Sequence, residues 1–416
     1  GRRLYLAQPQ CLLAACWNCS IRGERGFGSV PSCRDGISES RATVRRSRIF
    51  EGDPPLDGRD PMKKVKDRTK LIQGWGVRSQ WPNALAILAQ MIEEQIKLDA
   101  RAFGVTISAC ARAQCRPQAL ALLREMPRHK LQPNVVTCTA AISACAGDES
   151  WQLAVSLLQD MMPFSADRGR GIGACGVQAD IVALTATIGV CERAKQGACA
   201  LQLLKQARLH ALRPSTVTYN ATISACEKAE QWSSAVLLFG NLHEHGLQPD
   251  VITYNATISA CRHGQQWALA TILLTDMRLR RLQPDVITYN ATISACARSL
   301  QWDRALACFE EMQDHELQPG VITFNAAISA CHWSHGADLL ATMCAHKVRP
   351  DIITYNAIIG ACDKGREWRQ AMAHYEDMSM LSLRPDAITV NVLLRALQGC
   401  GRWIEASELL LIMQEQ

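Results

Sequence analysis

No run of apolar residues in this 416-residue chain approaches the roughly 18 needed to cross a bilayer, so no membrane span is expected. Charge of one sign is also scarce. Residues 1–61 hold ten arginines, seven acids and no lysine, and the remainder carries 35 basic against 32 acidic side chains. Bulk electrostatics therefore does not announce a polyanion partner. A His-x-Glu followed by Pro-Cys-x-x-Cys, which would mark a zinc deaminase, is missing. So is the aspartate cluster of a two-metal nuclease. No catalytic residue, metal site, cofactor or small-molecule substrate is expected. Cysteine, by contrast, is plentiful at 19. Eight copies (Cys110, Cys145, Cys191, Cys226, Cys261, Cys296, Cys331 and Cys362) close the same recurring phrase. They are one repeated position, read as a small apolar side chain packed between helices in a reducing compartment.

That phrase, "PDVITYNATISAC", begins at Pro249 and again at Pro284. Its aromatic slot recurs 35 residues apart at Tyr219, Tyr254, Tyr289 and Phe324, and Val390 follows Tyr355 by 35. Leu184 precedes Tyr219 by 35 and Phe103 precedes Cys138 by 35, while 46 residues separate Cys138 from Leu184. The excess of eleven lies around "PFSADRGRGIGACG". A fixed period of this length predicts a solenoid. Within one period, Tyr289, Ile293 and Cys296 define one helix face, and Trp302, Ala305, Leu306, Phe309 and Met312 a second. Each unit is thus a helix pair with a short polar joint, closed by a proline. The expectation is an all-α, right-handed α-solenoid of 35-residue helix-turn-helix repeats, about nine to ten units over residues 62–416. A tryptophan opens most second helices (Trp81, Trp151, Trp232, Trp267, Trp302, Trp368, Trp403) and reads as a packing anchor between repeats.

One unit, Val321 to Asp351, has only 31 residues. The missing four are expected to come from the joint and second helix, about one turn. The anchor would go with them, with Trp333 a partial substitute, and packing would loosen. "CHWSHGADLLATMCAH" imitates a zinc set here, but Cys331 is the routine repeat cysteine and the histidines fall at the shortening.

Asparagine is a mediocre helix former, yet Asn220, Asn255, Asn290, Asn325, Asn356 and Asn391 all sit about one turn inside a first helix. Three readings stay open: copying by duplication, a polar group satisfied by a neighbouring helix, or a column of amides facing bases. The last residue of each unit (Asp99, Asn134, Asp180, Ser215, Asp250, Asp285, Gly320, Asp351, Asp386) belongs to the set favoured as helix N-caps, and capping alone accounts for that column.

A 35-residue helix pair with "VxTYNxxIxAC" in the first helix and "W..AL.LF..M...GLQPD" in the second resembles the pentatricopeptide repeat proteins, over residues 62–416. The resemblance implies sequence-specific binding of single-stranded RNA, one base per repeat. The asparagine slot and the last residue of the unit would set base choice, and an apolar second residue would sandwich the base. The implied wedges are Val136, Val182, Val217, Ile252, Ile287, Ile322, Ile353 and Ile388. The implied uracil-reading pairs are Asn220 with Asp250, Asn255 with Asp285, Asn325 with Asp351, and Asn356 with Asp386. Thr139 with Asp180 resembles a guanine pair. Thr185 with Ser215, Gly104 with Asn134, and Asn290 with Gly320 depart from the pattern and receive no base.

Residues 1–61 form an expected disordered leader, whose first 50 residues hold nine arginines, six serines and three acids, a composition like that of an organellar transit peptide. A disordered basic tail is the alternative. Its Cys16 and Cys19 lack the histidine or the strand–helix context of a metal or redox motif. With the resemblance, this points to chloroplast or mitochondrion, the chloroplast slightly favoured. The role would be RNA processing, stability, editing or translation, with processing factors recruited as needed. The rival is a protein-binding scaffold of the tetratricopeptide type. The asparagine column varies to threonine and glycine in a fixed frame, as a base reader requires.

Overall fold

A computed structural model describes residues 61–414, apart from 79, 95, 97, 148–149, 162–178, 211 and 382. The expected leader (but for Pro61), its cysteines and the eleven-residue insertion lie outside the described residues. The described chain is all-α, with no strand among the described residues. Ten helix pairs follow one another: Pro61–Val77 with Trp81–Glu93, Ala100–Arg112 with Arg116–Glu125, Val135–Ala144 with Trp151–Met161, and Ile181–Arg193 with Gly197–Leu209. Then come Thr216–Lys228 with Trp232–Glu244, Val251–His263 with Trp267–Leu279, and Val286–Arg298 with Trp302–Asp314. Val321–Ala330 with Trp333–Ala345, Ile352–Gly365 with Trp368–Met380, and Ala387–Gly399 with Trp403–Gln414 complete the array. No described helix is long and apolar enough to cross a membrane. The chain divides into two compact units, one ending at Thr187 and one beginning at Ile188.

Local chemistry sets the ends of each first helix. The Asp250 carboxylate accepts the Thr253 N–H at 2.8 Å, and the Thr253 hydroxyl accepts the Asp250 N–H at 3.1 Å. This reciprocal capping box recurs at Asn134, Ser215, Asp285, Asp351 and Asp386. At the far end the repeat cysteine lends its carbonyl. Cys226 accepts from the Gln231 N–H at 2.9 Å and Cys261 from the Gln266 N–H at 3.0 Å. The residue between, Glu230 or Gln265, turns left-handed with φ of 58° or 54°.

In the second unit each first helix packs on its own second helix and on the next first helix. The core layers accordingly draw on three repeats. Tyr254, Ile258 and Cys261 meet Ala270, Leu273 and Met277 of their own unit, Phe239 of the one before, and Ala291 and Ala295 of the one after. The first unit stacks its first helices in the same way. There, Ala179 N–H bonds the Met161 carbonyl at 3.0 Å, so the chain rejoins its track across residues 162–178.

Trp232 and Trp333 pack between repeats, whereas Trp403, in the last described pair, is 65% exposed. A Cβ on Gly264, at the end of one first helix, would lie 2.5 Å from the ring of Trp232 in the preceding unit. Gly264→Ala is therefore expected to cost about 1–3 kcal/mol by overpacking. Thermal unfolding that leaves this variant equal to the parent would contradict the anchor assignment.

The short unit corrects one expectation. Its second helix, Trp333–Ala345, keeps all 13 residues, whereas its first helix, Val321–Ala330, has 10 rather than 13. The loss falls on the end of the first helix and the joint. Trp333 consequently occupies the ordinary anchor position, 2.6 Å from where a Gly365 Cβ would stand. The core runs through unbroken, from Phe309 and Phe324 to Ile328, Leu339, Met343 and Tyr355.

Candidate nucleic-acid interface

In the second unit the asparagine column and the end-of-repeat column meet. The Asn220 amide nitrogen donates to both oxygens of Asp250, at 2.9 and 3.2 Å. Asn255 does the same to Asp285 at 3.2 and 3.3 Å. Asn325 reaches Asp351, and Asn356 reaches Asp386, each at 3.2 Å. Each aspartate thus has two roles: it caps its own helix and takes the amide of the preceding repeat. Burial alone would push the Asp250 carboxyl up. The Thr253 N–H and hydroxyl and the Asn220 amide outweigh it and hold the group below the ordinary carboxylate range. The same balance holds for Asp351, with Thr354 and Asn325 supplying the bonds.

The sequence reading missed a third member. The Thr253 hydroxyl lies 2.6 Å from Asn220 Oδ1, and Thr288, Thr354 and Thr389 stand 2.5, 2.6 and 2.6 Å from Asn255, Asn325 and Asn356. The available signal was the threonine three residues after every cap from Ser215 onward. An amide has two N–H groups and two oxygen lone pairs. With one of each engaged, one donor and one acceptor remain.

Beside this polar row stands an apolar one. Each wedge precedes its asparagine by three residues, so the two share a helix face. Val217, Ile252, Ile287, Ile322, Ile353 and Ile388 are 60–70% exposed, although the rest of the apolar face is buried. In the first unit, Val136 and Val182 are exposed likewise.

Departures from the pattern have physical consequences. Gly320 offers no carboxylate, and Asn290 Oδ1 is buried without a hydrogen-bond partner. A Cβ on Gly320 would meet nothing within 4 Å, and its φ of −96° suits any residue. Gly320→Asp is expected to raise stability by about 1 kcal/mol, through the cap and the satisfied amide. Thermal unfolding without RNA checks this, and an unchanged or lowered midpoint would contradict it. Thr139 and Thr185 return their hydroxyl protons to their own helices, to the carbonyls of Val135 and Ile181 at 2.7 Å. The Thr139 oxygen can then only accept. Asp180 caps Ala183 N–H at 2.7 Å, and Ser215 caps Thr218 N–H at 3.4 Å. Gly104 has no side chain to read with. It lines, with Asn134, Val136 and Thr137, a cavity of about 480 Å³ in the first unit.

The repeat cysteines sit in the core. Burial pushes the thiols of Cys110 and Cys261 up to about 12, and those of Cys226 and Cys331 to about 11. They are packing groups rather than nucleophiles.

The chain matches the pentatricopeptide repeat domain over residues 86–148, 121–162, 171–229 and 272–332. It matches the PPR repeat family over 214–263 and 339–398, and the PPR repeat over 388–416. Among solved structures it is similar to the pentatricopeptide repeat protein PPR10 in complex with an 18-nt psaJ RNA element. The identity is 17% and the TM-score 0.59, over 85% of this chain and 56% of that one. PPR10 from maize, in a further crystal structure, is 23% identical over 83% of this chain and 58% of that chain, with a TM-score of 0.45. The chain thus spans little more than half the length of the PPR10 chain. No curated protein matches it by sequence. The fold is shared with PPR10, and the repeat matches together cover well over half of the 416 residues. On those grounds the chain belongs to the pentatricopeptide repeat family.

Proposed function

We propose that this protein binds single-stranded RNA sequence-specifically, one base per repeat, as a binding array without a catalytic step of its own. The observation that carries the reading is the exposed apolar ladder in the second unit, set three residues from a row of amides whose carboxylate partners hold them in place. Leaving a Val or Ile side chain in water forgoes about 1.5–3 kcal/mol each. Six such side chains at repeat spacing mark a surface built to be covered. A base slid between consecutive wedges would cover them and turn its edge to the amide–carboxylate pair. The PPR10 structure, of like fold, contains an RNA element.

On this reading the four Asn–Asp pairs favour uracil, and Thr139 with Asp180 favours guanine. Thr185 with Ser215 receives no base. The organellar setting, in chloroplast or mitochondrion, and recruited processing factors are part of the same proposal. They are supported by family membership and by the Arg/Ser-rich composition of residues 1–61.

The direct test is strand preference. An edge-reading column needs unpaired bases, so a mobility-shift assay is expected to show single strands bound over the matching duplex. Salt should weaken binding only modestly, because the array is nearly neutral. Equal binding of duplex and single strand, or binding of an extended peptide with no RNA binding, would overturn the proposal.

A further inference from the structure

We propose that Thr253, Thr288, Thr354 and Thr389 are positioning residues. Each fixes the amide of the asparagine one repeat earlier, and with it the hydrogen-bonding pattern offered to a base. The proposal rests on the base-reading function above.

All four threonines are fully buried, so none can touch RNA itself. Each hydroxyl accepts the N–H of its own cap residue, at 3.1 to 3.2 Å. Its single proton faces two oxygens. One is the asparagine Oδ1 at 2.5 to 2.6 Å, and the other is the aspartate Oδ1 at 2.8 to 2.9 Å. An amide flipped about its Cβ–Cγ axis would set its oxygen against the carboxylate, losing that bond to like-charge repulsion, and would take the hydroxyl proton away from Oδ1. The aspartate therefore draws Nδ2 to one side, and the threonine holds Oδ1 on the other. Only one orientation satisfies the trio, and the free N–H and lone pair take fixed directions.

The Gly320 repeat supplies the contrast within the same chain. Thr323 is as buried as its counterparts and accepts the Gly320 N–H at 3.2 Å, like them. Yet Asn290 Oδ1 has no partner. The hydroxyl alone does not capture the amide when the carboxylate is missing. Thr323 is thus a cap without a positioning role, and it separates the two functions experimentally.

The test uses the full chain and single-stranded RNAs differing only at the base opposite the Asn255–Asp285 pair. Thr288→Val removes the hydroxyl and keeps the branched shape. Preference for the favoured base is expected to fall about tenfold at that position and to stay unchanged elsewhere. Thr288→Ser should restore it. Thr323→Val should lower the unfolding midpoint like Thr288→Val, since both lose a cap bond, but leave every base preference unchanged. Should Thr288→Val fail to fold, Thr389→Val reads the same effect through Asn356. A parent that discriminates, with Thr288→Val discriminating equally well, overturns the positioning role alone. A parent with no preference at this base overturns both it and the base-reading function.

Discussion

Alanine in place of Ile252, Ile287 and Ile353 together is expected to weaken RNA binding by about a hundredfold or more, for all sequences alike. Each side chain is 61–63% exposed, so truncation removes little from the folded core. A wedge that stacks on a base contributes about 1–3 kcal/mol, and even the lower figure, three times over, exceeds a hundredfold. The loss should be uniform because every base has an apolar face. Titrations with a uracil-rich and a scrambled single strand, beside thermal unfolding, measure it. Full binding by the triple variant would contradict the wedge assignment, as would a loss confined to one of the two RNAs.

Asn255→Thr is expected to move one position from uracil towards guanine, changing the ratio of affinities by tenfold or more. In the parent, Asn255 keeps one N–H and one lone pair free, which together complement the carbonyl and ring N–H of uracil. Threonine is shorter and leaves room for a purine. Its hydroxyl proton would return to its own helix, as those of Thr139 and Thr185 do at 2.7 Å, leaving only acceptor capacity. Asp285, released from the amide, adds a further acceptor. Guanine, with two N–H donors on that edge, fits such a site. Competition among RNAs differing at one base decides the matter. A uniform fall in affinity, or none, would make the asparagine column structural.

Much of this architecture was legible in the sequence because its causes are local. The reciprocal bonds between Asp250 and Thr253 span three residues, and the tyrosine and cysteine faces recur every helical turn. The bond from Asn220 to Asp250 spans 30 residues, and that from Thr253 back to Asn220 spans 33. Only stacking of one repeat on the next brings these groups together. Capping explained the aspartates so fully in the sequence that their second task, holding the amide, stayed hidden. Two of the three readings of asparagine do not exclude each other: Asn220, Asn255, Asn325 and Asn356 are bonded by a neighbouring repeat and retain hydrogen-bonding capacity. The short unit was misread because its alignment followed the aromatic slot. Trp333 follows Trp302 by 31 residues, which already puts the four lost residues ahead of the tryptophan. The tight seat of its ring against Gly365 explains why the anchor was kept and the end of the first helix gave way.

The most direct measurement of the central claim is selection from a random pool of single-stranded RNA by the full-length chain, followed by sequencing of what is retained. The repeats from Asn220 to Asp386 should enrich two uracils, one variable base, then two uracils, with the variable base opposite Asn290 and Gly320. Asn255→Thr should replace the second uracil by guanine in the same register. A retained pool without a shared register, or one whose register ignores that substitution, would contradict the account.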